Sequence, residues 1–415
     1  MSVITKVSTL IILVSITIFS CQMMDTTPDP ESVLISPLAH LNPDQLAKHT
    51  AGDALFNKSY TVEEGVGPVF VATTCRSCHF NGGKGHPFNE IVRFGNWEPD
   101  GEFSEMLEMS GPQLQYRAID GYPAEEIPEE AEGVVKLNPP ALPGLGLLEA
   151  ITDADIFAWA DVNDIDQDGI TGRVALVDPP AYVEGQFIYE NIYRSDDGRC
   201  VGRFGKKAFS ANLFQQAARA LVEDLGITTS AENHDPFNWK APQALREYGD
   251  GVPNPELPDE QLQELTYFLR STAAPPRRDL DNPDVIEGEN IFKEIGCVKC
   301  HRDEFTTGNS ILPELSNLTI HPYTDMLLHD MGPGLDDGYT EGDAATNEWR
   351  TPPLWGLGLA EESQGGTGYY LHDGRATTLN EAIQAHGGEA ESIKGNYNSL
   401  VKEDQDKLIS FLRSL

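Results

Sequence analysis

Cys75, Arg76, Ser77, Cys78, His79 and Cys297, Val298, Lys299, Cys300, His301 both spell Cys-x-x-Cys-His. Two thiols at this spacing reach the two vinyl groups of one porphyrin, and the adjoining histidine is then held beneath the iron as its proximal ligand. Two such motifs predict two covalently bound haem c groups. A structural zinc site would need the two pairs to converge, and a thioredoxin-like redox pair would need a βαβ context that the sequence lacks. The chain has six cysteines. Outside the motifs, Cys21 stands at a lipoprotein-type cleavage site, and Cys200 is left over as either a reactive thiol or a small buried residue.

Asp164, Asp166 and Asp168, followed by Gly169, spell D-x-D-x-D-G. Carboxylates at alternate positions around a turn predict a structural Ca2+ site; the alternative is a solvated acidic turn. Ala175 stands where an EF-hand has its bidentate Glu, so Asp161 or Asn163 must complete the shell. His86, close to Gly82, Gly83 and Gly85, is a candidate removable ligand on the distal side of the first haem. Arg350 and Arg375 carry the planar guanidinium that pairs with haem propionates, or are surface ion-pair residues. Trp97 and Trp355 are either stations on an electron path or ordinary core.

These groups need helices to hold them, and the sequence supplies a repeated frame. Gly52–Phe56 (GDALF) matches Gly288–Phe292 (GENIF), each upstream of a haem motif. Glu264–Ser271 (ELTYFLRS) matches Lys407–Ser414 (KLISFLRS), both with the apolar spacing of a helix packed on a core. Between them Pro140, Leu142, Gly144, Leu145, Gly146, Leu147 and Glu149 match Pro352, Leu354, Gly356, Leu357, Gly358, Leu359 and Glu361. Three shared features in one order predict a duplication. The expected fold is mainly α, with two cytochrome c-like haem domains over 49–275 and 285–415. The first carries irregular insertions, including the acidic loop and the segment through Arg199, Phe204 and Phe209–Leu225. Ala273–Pro283 reads as a short linker.

Ahead of the domains, Lys6 and the apolar run Leu10–Phe19 predict a signal peptide over 1–20, with an anchor and flexible tether over 21–48. Lipid attached at Cys21 would hold the protein in the cell envelope; ordinary cleavage would release a soluble periplasmic protein. No other stretch is long and apolar enough to cross a bilayer, so membrane contact is expected only through an N-terminal lipid. Lys plus Arg number 29 against 66 Asp plus Glu, a formal charge of −37. That charge repels phosphate backbones, which excludes nucleic acid; it either favours a basic or neutral partner or serves solubility.

The run Arg350–Gly358 (RTPPLWGLG), the segment Tyr370–Arg375 (YLHDGR) and Leu379, Glu381 and Ala382 resemble the second haem domain of bacterial di-haem cytochrome c peroxidases. With His329–Gly332 (HDMG) and Gly202–Gly205 (GRFG), the chain more closely resembles the exported di-haem oxidoreductase family, also called thiol oxidoreductase-like. In the peroxidases a Met ligand follows the corresponding His-Asp-Gly segment, and the same offset from His372 reaches His386. The resemblance therefore implies His301/His386 ligation, with Met331 as the alternative. Imidazole in place of thioether lowers a haem potential, a departure from the peroxidases' high-potential donor. The resemblance also places a distal, proton-moving carboxylate at Glu149; a helix-start Glu without catalytic role is the other reading. The implied activity is peroxidase-like. Electrons from a small redox protein would pass through the C-terminal haem to a substrate-reactive N-terminal haem, with peroxide as the small-molecule substrate. An electron-transfer cytochrome with two six-coordinate haems, or an oxidase of an organic or protein-bound group, are the alternatives.

Overall fold

Asn42 starts the first long helix: its side chain accepts the N–H groups of Asp44 and Gln45, and Gln45 reaches back to the Asn42 N–H. This capping box, with Pro43 at the first helical position, fixes the start of α1 (Pro43–Asn57). The computed structural model describes residues 33–415; the signal peptide and Cys21 lie outside these residues. After α1 come α2 (Leu145–Glu149), α3 (Leu213–Ala220) and α4 (Asp259–Ser271), then α5 (Pro283–Glu294), α6 (Leu379–Ala385) and α7 (Lys402–Ser414).

The repeated segments form repeated crossings. At Gly52 of α1, a Cβ would stand 2.1 Å from the Glu264 carbonyl oxygen of α4; at Gly288 of α5, it would stand 2.1 Å from the Lys407 carbonyl oxygen of α7. Only glycine allows this approach of two helix backbones. Above each contact a phenylalanine pair closes the crossing, Phe56–Phe268 at 5.3 Å and Phe292–Phe411 at 5.2 Å. Each pair belongs to its own apolar core: one gathers Leu147, Leu148, Leu213 and Phe268, the other Tyr323, Tyr397, Leu408 and Phe411.

The chain is mainly helical, and its strands are short. β1 (Ile91–Trp97) is the centre of a three-stranded antiparallel sheet with β2 (Phe103–Ser104) and β3 (Gly133–Leu137). β4 (Leu328–Asp330) pairs with β5 (Glu348–Arg350), setting His329 opposite Trp349. No helix among the described residues is long and apolar enough to cross a membrane.

Two boundary expectations change. The tether expected over 21–48 is packed well before its end: Leu34 is 3% exposed, Leu38 N–H donates to the Ser271 carbonyl, and α1 takes up 43–48. Pro283, read as linker, is instead the first residue of α5, capped by Asn282, because proline's missing N–H costs nothing in a first helical turn.

Beside the sheet, Gln115 N–H donates to Glu125 Oε2 at 2.6 Å, and burial pushes the Glu125 carboxyl up to about 8. The folded chain then holds a proton that the unfolded chain releases near the ordinary value. This stability is complete below about pH 4.3 and falls by about 1.4 kcal/mol per pH unit as pH rises toward 8. Glu125→Gln is expected to flatten that fall, read as the difference in urea midpoint between pH 5 and pH 8.

Candidate functional site

Cys75–Cys78 form one helical turn and Cys297–Lys299 a 3-10 turn, so each motif presents its two thiols on one side of a compact bend. None of the four is in a disulfide. His79 Nδ1 lies 3.0 Å from the Pro140 carbonyl oxygen and His301 Nδ1 lies 3.0 Å from the Tyr323 carbonyl oxygen. A carbonyl only accepts, so each Nδ1 carries the proton and each Nε2 is left bare for a metal. Burial pushes both imidazoles down to about 4, which keeps them neutral at pH 7. The donor sets at both motifs therefore fit a haem iron.

The two histidines differ in what faces them. His386, at the end of α6, is oriented by a 2.7 Å bond from Nδ1 to the Ala382 carbonyl, and its ring centre lies 6.4 Å from that of His301. Two imidazoles bound to opposite sides of one metal, each at about 2 Å, have ring centres roughly 6.3 Å apart. The alternative, Met331, packs against a separate apolar cluster of Val135, Leu137, Leu335, Tyr339 and Trp349. Around His79 the ring contact among the described residues is Phe56, at 6.1 Å. His86 is engaged by its own neighbours, Phe88 and Tyr369. Its ring stacks on Phe88 at 4.5 Å and its Nδ1 accepts the Phe88 N–H, which puts its proton on Nε2, the reverse of His79, His301 and His386.

Other expectations are corrected by the geometry. Glu149 is fully buried, and both of its oxygens are engaged: Arg270 Nε and Nη2 donate at 2.7 and 2.9 Å, and Leu213 N–H donates at 3.0 Å. It ties α2, α3 and α4 together rather than offering an oxygen to a substrate. Arg375 is taken up by Asp373 at 2.5 Å and Asp337 at 3.0 Å; Arg350 is not corrected in this way, since its buried side chain meets the Gly205 and Thr351 carbonyls and, among the described residues, no carboxylate. Cys200 is a small buried residue, at 0% exposure. In the acidic loop, ligand oxygens of Asp161, Asp164 and Asp166 lie within 4.8 Å of one another. Asp168 is not among them, because Lys299 of the second motif pairs with it at 2.8 Å.

The sequence reading missed a polar clamp beside the second motif. His329 is buried between Asp325 at 2.8 Å and Glu389 at 2.7 Å, with Cys300 Sγ at 3.8 Å. Burial opposes its charge, but the two carboxylates outweigh it and hold the imidazole protonated well above its ordinary value. Glu389 also accepts from Thr171 N–H at 2.9 Å, which joins the inserted loop to this clamp. Across the strand pair, Trp349 stacks on His372 at 3.7 Å with Lys207 over its other face at 4.0 Å. Trp97 instead meets Phe103 edge-on at 5.1 Å, and Trp355 packs against Gly144. A separate open cleft of about 1110 Å3 is lined by Trp97, Phe103, Phe209, Arg219 and Glu341; no residue of either motif lines it.

A sequence model of one protein family, described as "Di-haem oxidoreductase, putative peroxidase", matches residues 134–415. Cytochrome c551 peroxidase of Nitrosomonas europaea is 30% identical over 214 residues, 49% of this chain and 58% of that protein, so the chain spans little more than half of the curated relative it matches. Among solved structures, hydrazine synthase of Kuenenia stuttgartiensis is similar at 13% identity and a TM-score of 0.41, covering 100% of this chain and 98% of that one. A MauG-like protein associated with microbial copper homeostasis is similar at 14% identity and a TM-score of 0.28, covering 64% and 89%.

Proposed function

Because the chain belongs to the di-haem oxidoreductase family, we propose that it is an exported, peroxidase-like enzyme with one haem c in each of two cytochrome c-like domains. Cys75 and Cys78, and Cys297 and Cys300, are the thioether anchors; His79 and His301 are the proximal ligands. The observation that carries this reading is the asymmetry of the histidines: His386 faces His301 at 6.4 Å, while Phe56 is the ring beside His79. Held by these residues, the haems would supply the redox chemistry: single-electron storage at the His301/His386 site and two-electron reduction of peroxide at the His79 site.

The chain's own residues make that division possible. Pro140 and Tyr323 aim the two imidazoles through Nε2, and burial keeps both rings neutral. His386, fixed by the Ala382 carbonyl, shuts substrate out of the second site, and the first remains the one where a small oxidant can bind. The acidic loop, with Asp161, Asp164 and Asp166 as ligands, holds a structural Ca2+. A lipid on Cys21 anchors the protein in the cell envelope.

The test is to half-reduce the purified protein without oxygen, add one equivalent of hydrogen peroxide, and follow both haem spectra on the millisecond scale. A fast change at the first haem with oxidation of the second supports the proposal. Two low-spin haems that react only slowly overturn it in favour of an electron-transfer cytochrome. The loop has its own measurement: a ligand present at 100 times its Kd stabilises by about 2.7 kcal/mol, so chelation is expected to lower the melting temperature by roughly 5 °C. Asp164→Asn should abolish that response.

A further inference from the structure

Buried arginines in this protein are paired with carboxylates: Arg93 with Glu223 and Glu341, Arg203 with Asp153, and Arg270 with Glu149. Three other basic side chains, the buried Arg350 and the partly buried Lys84 and Lys206, break the pattern. Lys84 donates to the Leu371 carbonyl, Arg350 donates to two backbone carbonyls, and among the described residues no carboxylate oxygen lies within 4.0 Å of Lys84, Lys206 or Arg350. Carboxylates are not scarce, with 66 acidic residues against 29 basic ones. Nor is it how the chain treats a buried lysine otherwise. The neighbouring Lys207 satisfies its ammonium with three carbonyls, those of Ala345, Thr346 and Glu348, at 2.9, 3.0 and 2.8 Å.

The three exceptions share one neighbourhood, with Lys84 beside the first motif: Leu371, whose carbonyl takes Lys84, precedes His372, and His372 stacks on Trp349, the residue before Arg350. Arg350 N–H donates to the Lys206 carbonyl at 3.0 Å, and Arg350 Nε donates to the carbonyl of Gly205, one residue earlier. Lys84 is placed by its flanks: Gly85 N–H donates to the Pro139 carbonyl at 2.9 Å, next to the Pro140 carbonyl that orients His79. Burial, and then the Arg350 charge, push the Lys206 ammonium down to about 8; burial, and then Lys206, push Lys84 well below its usual range. The field of Lys206 also reaches His79. The carboxylate whose field reaches both lysines, Asp373, is already held by Arg375 at 2.5 Å, and the one that reaches Arg350, Asp325, is held by His329 at 2.8 Å. A cluster of cations partly or wholly withdrawn from water without paired anions is costly unless a ligand brings the anions.

We infer that Lys84, Lys206 and Arg350 form one seat for ligand carboxylates, and that it receives the propionates of the haem carried by His79. A haem c fixed through its vinyl groups still carries two free carboxylates, the anionic class such a seat would take. The inference rests on the reading of Cys75, Cys78 and His79 as a haem site.

The experiment uses the holoprotein with Lys84→Met, Lys206→Met and Lys206→Arg, reading the reduction potential of each haem against pH by spectroelectrochemistry, and haem content by mass. Removing a cation beside a haem favours its oxidised form, so both Met variants should retain two haems while the first-haem potential moves to more negative values. A new pH dependence should appear between pH 5 and 8 as the freed propionate titrates, and Lys206→Arg should restore the parent curve. Potentials and pH profiles that do not move in either Met variant overturn the seat. If one Met variant fails to accumulate, the other and Lys206→Gln give the same reading. A parent protein whose mass carries no haem at Cys75 and Cys78 overturns the underlying site instead, and that measurement precedes the variants.

Discussion

His386→Met is expected to raise the reduction potential of the second haem by on the order of 0.2 V while leaving both haems attached. The size follows from the chemistry of the ligand. Imidazole stabilises ferric iron by σ-donation, whereas a thioether favours ferrous iron, and the proposed ligand His386 is held facing His301. The Thr378 capping box fixes the start of α6, and the Ala382 carbonyl fixes the ring at its end, 6.4 Å from His301. Spectroelectrochemistry with a search for a sulfur-to-iron charge-transfer band checks the result. His386→Ala should go further and open the site, converting a low-spin haem to one that binds an added exogenous ligand. An unchanged low-spin spectrum in His386→Ala would mean that another side chain ligates the iron. The functional consequence is separate. If the second haem serves as the electron store, raising its potential slows delivery to the first, and peroxide turnover falls even though no residue near His79 has changed.

The attachment motifs and the duplication were legible because each is local. Cys-x-x-Cys-His is a spacing within one turn, and GDALF and GENIF are strings whose glycine and phenylalanine do the same work twice, at Gly52 and Gly288 and at Phe56 and Phe292. What stayed hidden depends on residues far apart in sequence. Nothing in D-x-D-x-D-G says that its third aspartate will meet Lys299, and nothing about Met331 says that it will pack on Trp349. The lysines of the proposed basic seat have no motif spacing: Lys84 and Lys206 become notable only when the fold partly buries them with no carboxylate within ion-pair distance. Counting from His372 reached a histidine that the fold sets opposite His301, since the end of one helix carries it there. His86 failed for a complementary reason. Its distance from His79 in sequence suited a ligand, but the turn that follows takes its Nδ1 as an acceptor for Phe88.

Glu149→Ala is expected to destabilise the protein by about 3–5 kcal/mol, because it removes the partner of a buried guanidinium and leaves that charge unpaired. The duplication supplies an internal control. Glu361 and Arg413 are the matching residues of the second copy, yet they lie 3.6 Å apart with side chains 50% and 64% exposed. A solvated pair of this kind contributes about 0–1 kcal/mol, so Glu361→Ala should leave the urea midpoint nearly where it was. The difference has a structural origin. In the first copy α3 covers the pair, its first N–H bonds Glu149 Oε1 at 3.0 Å, and the Gln186 carbonyl takes Arg270 Nη2 at 2.8 Å. These covering segments belong to the longer first copy. A catalytic Glu149 would give another pattern: Glu149→Gln would abolish peroxide turnover with modest loss of stability and would remove a limb of the pH profile. If Glu149 instead acts as the tie between α2, α3 and α4, the molecules of Glu149→Gln that remain folded should turn over peroxide at the parental rate with an unchanged pH profile. The loss would appear in the melting curve alone. Measuring turnover per folded, haem-loaded molecule beside the urea midpoint separates the two, since a buried tie and a proton carrier move different observables.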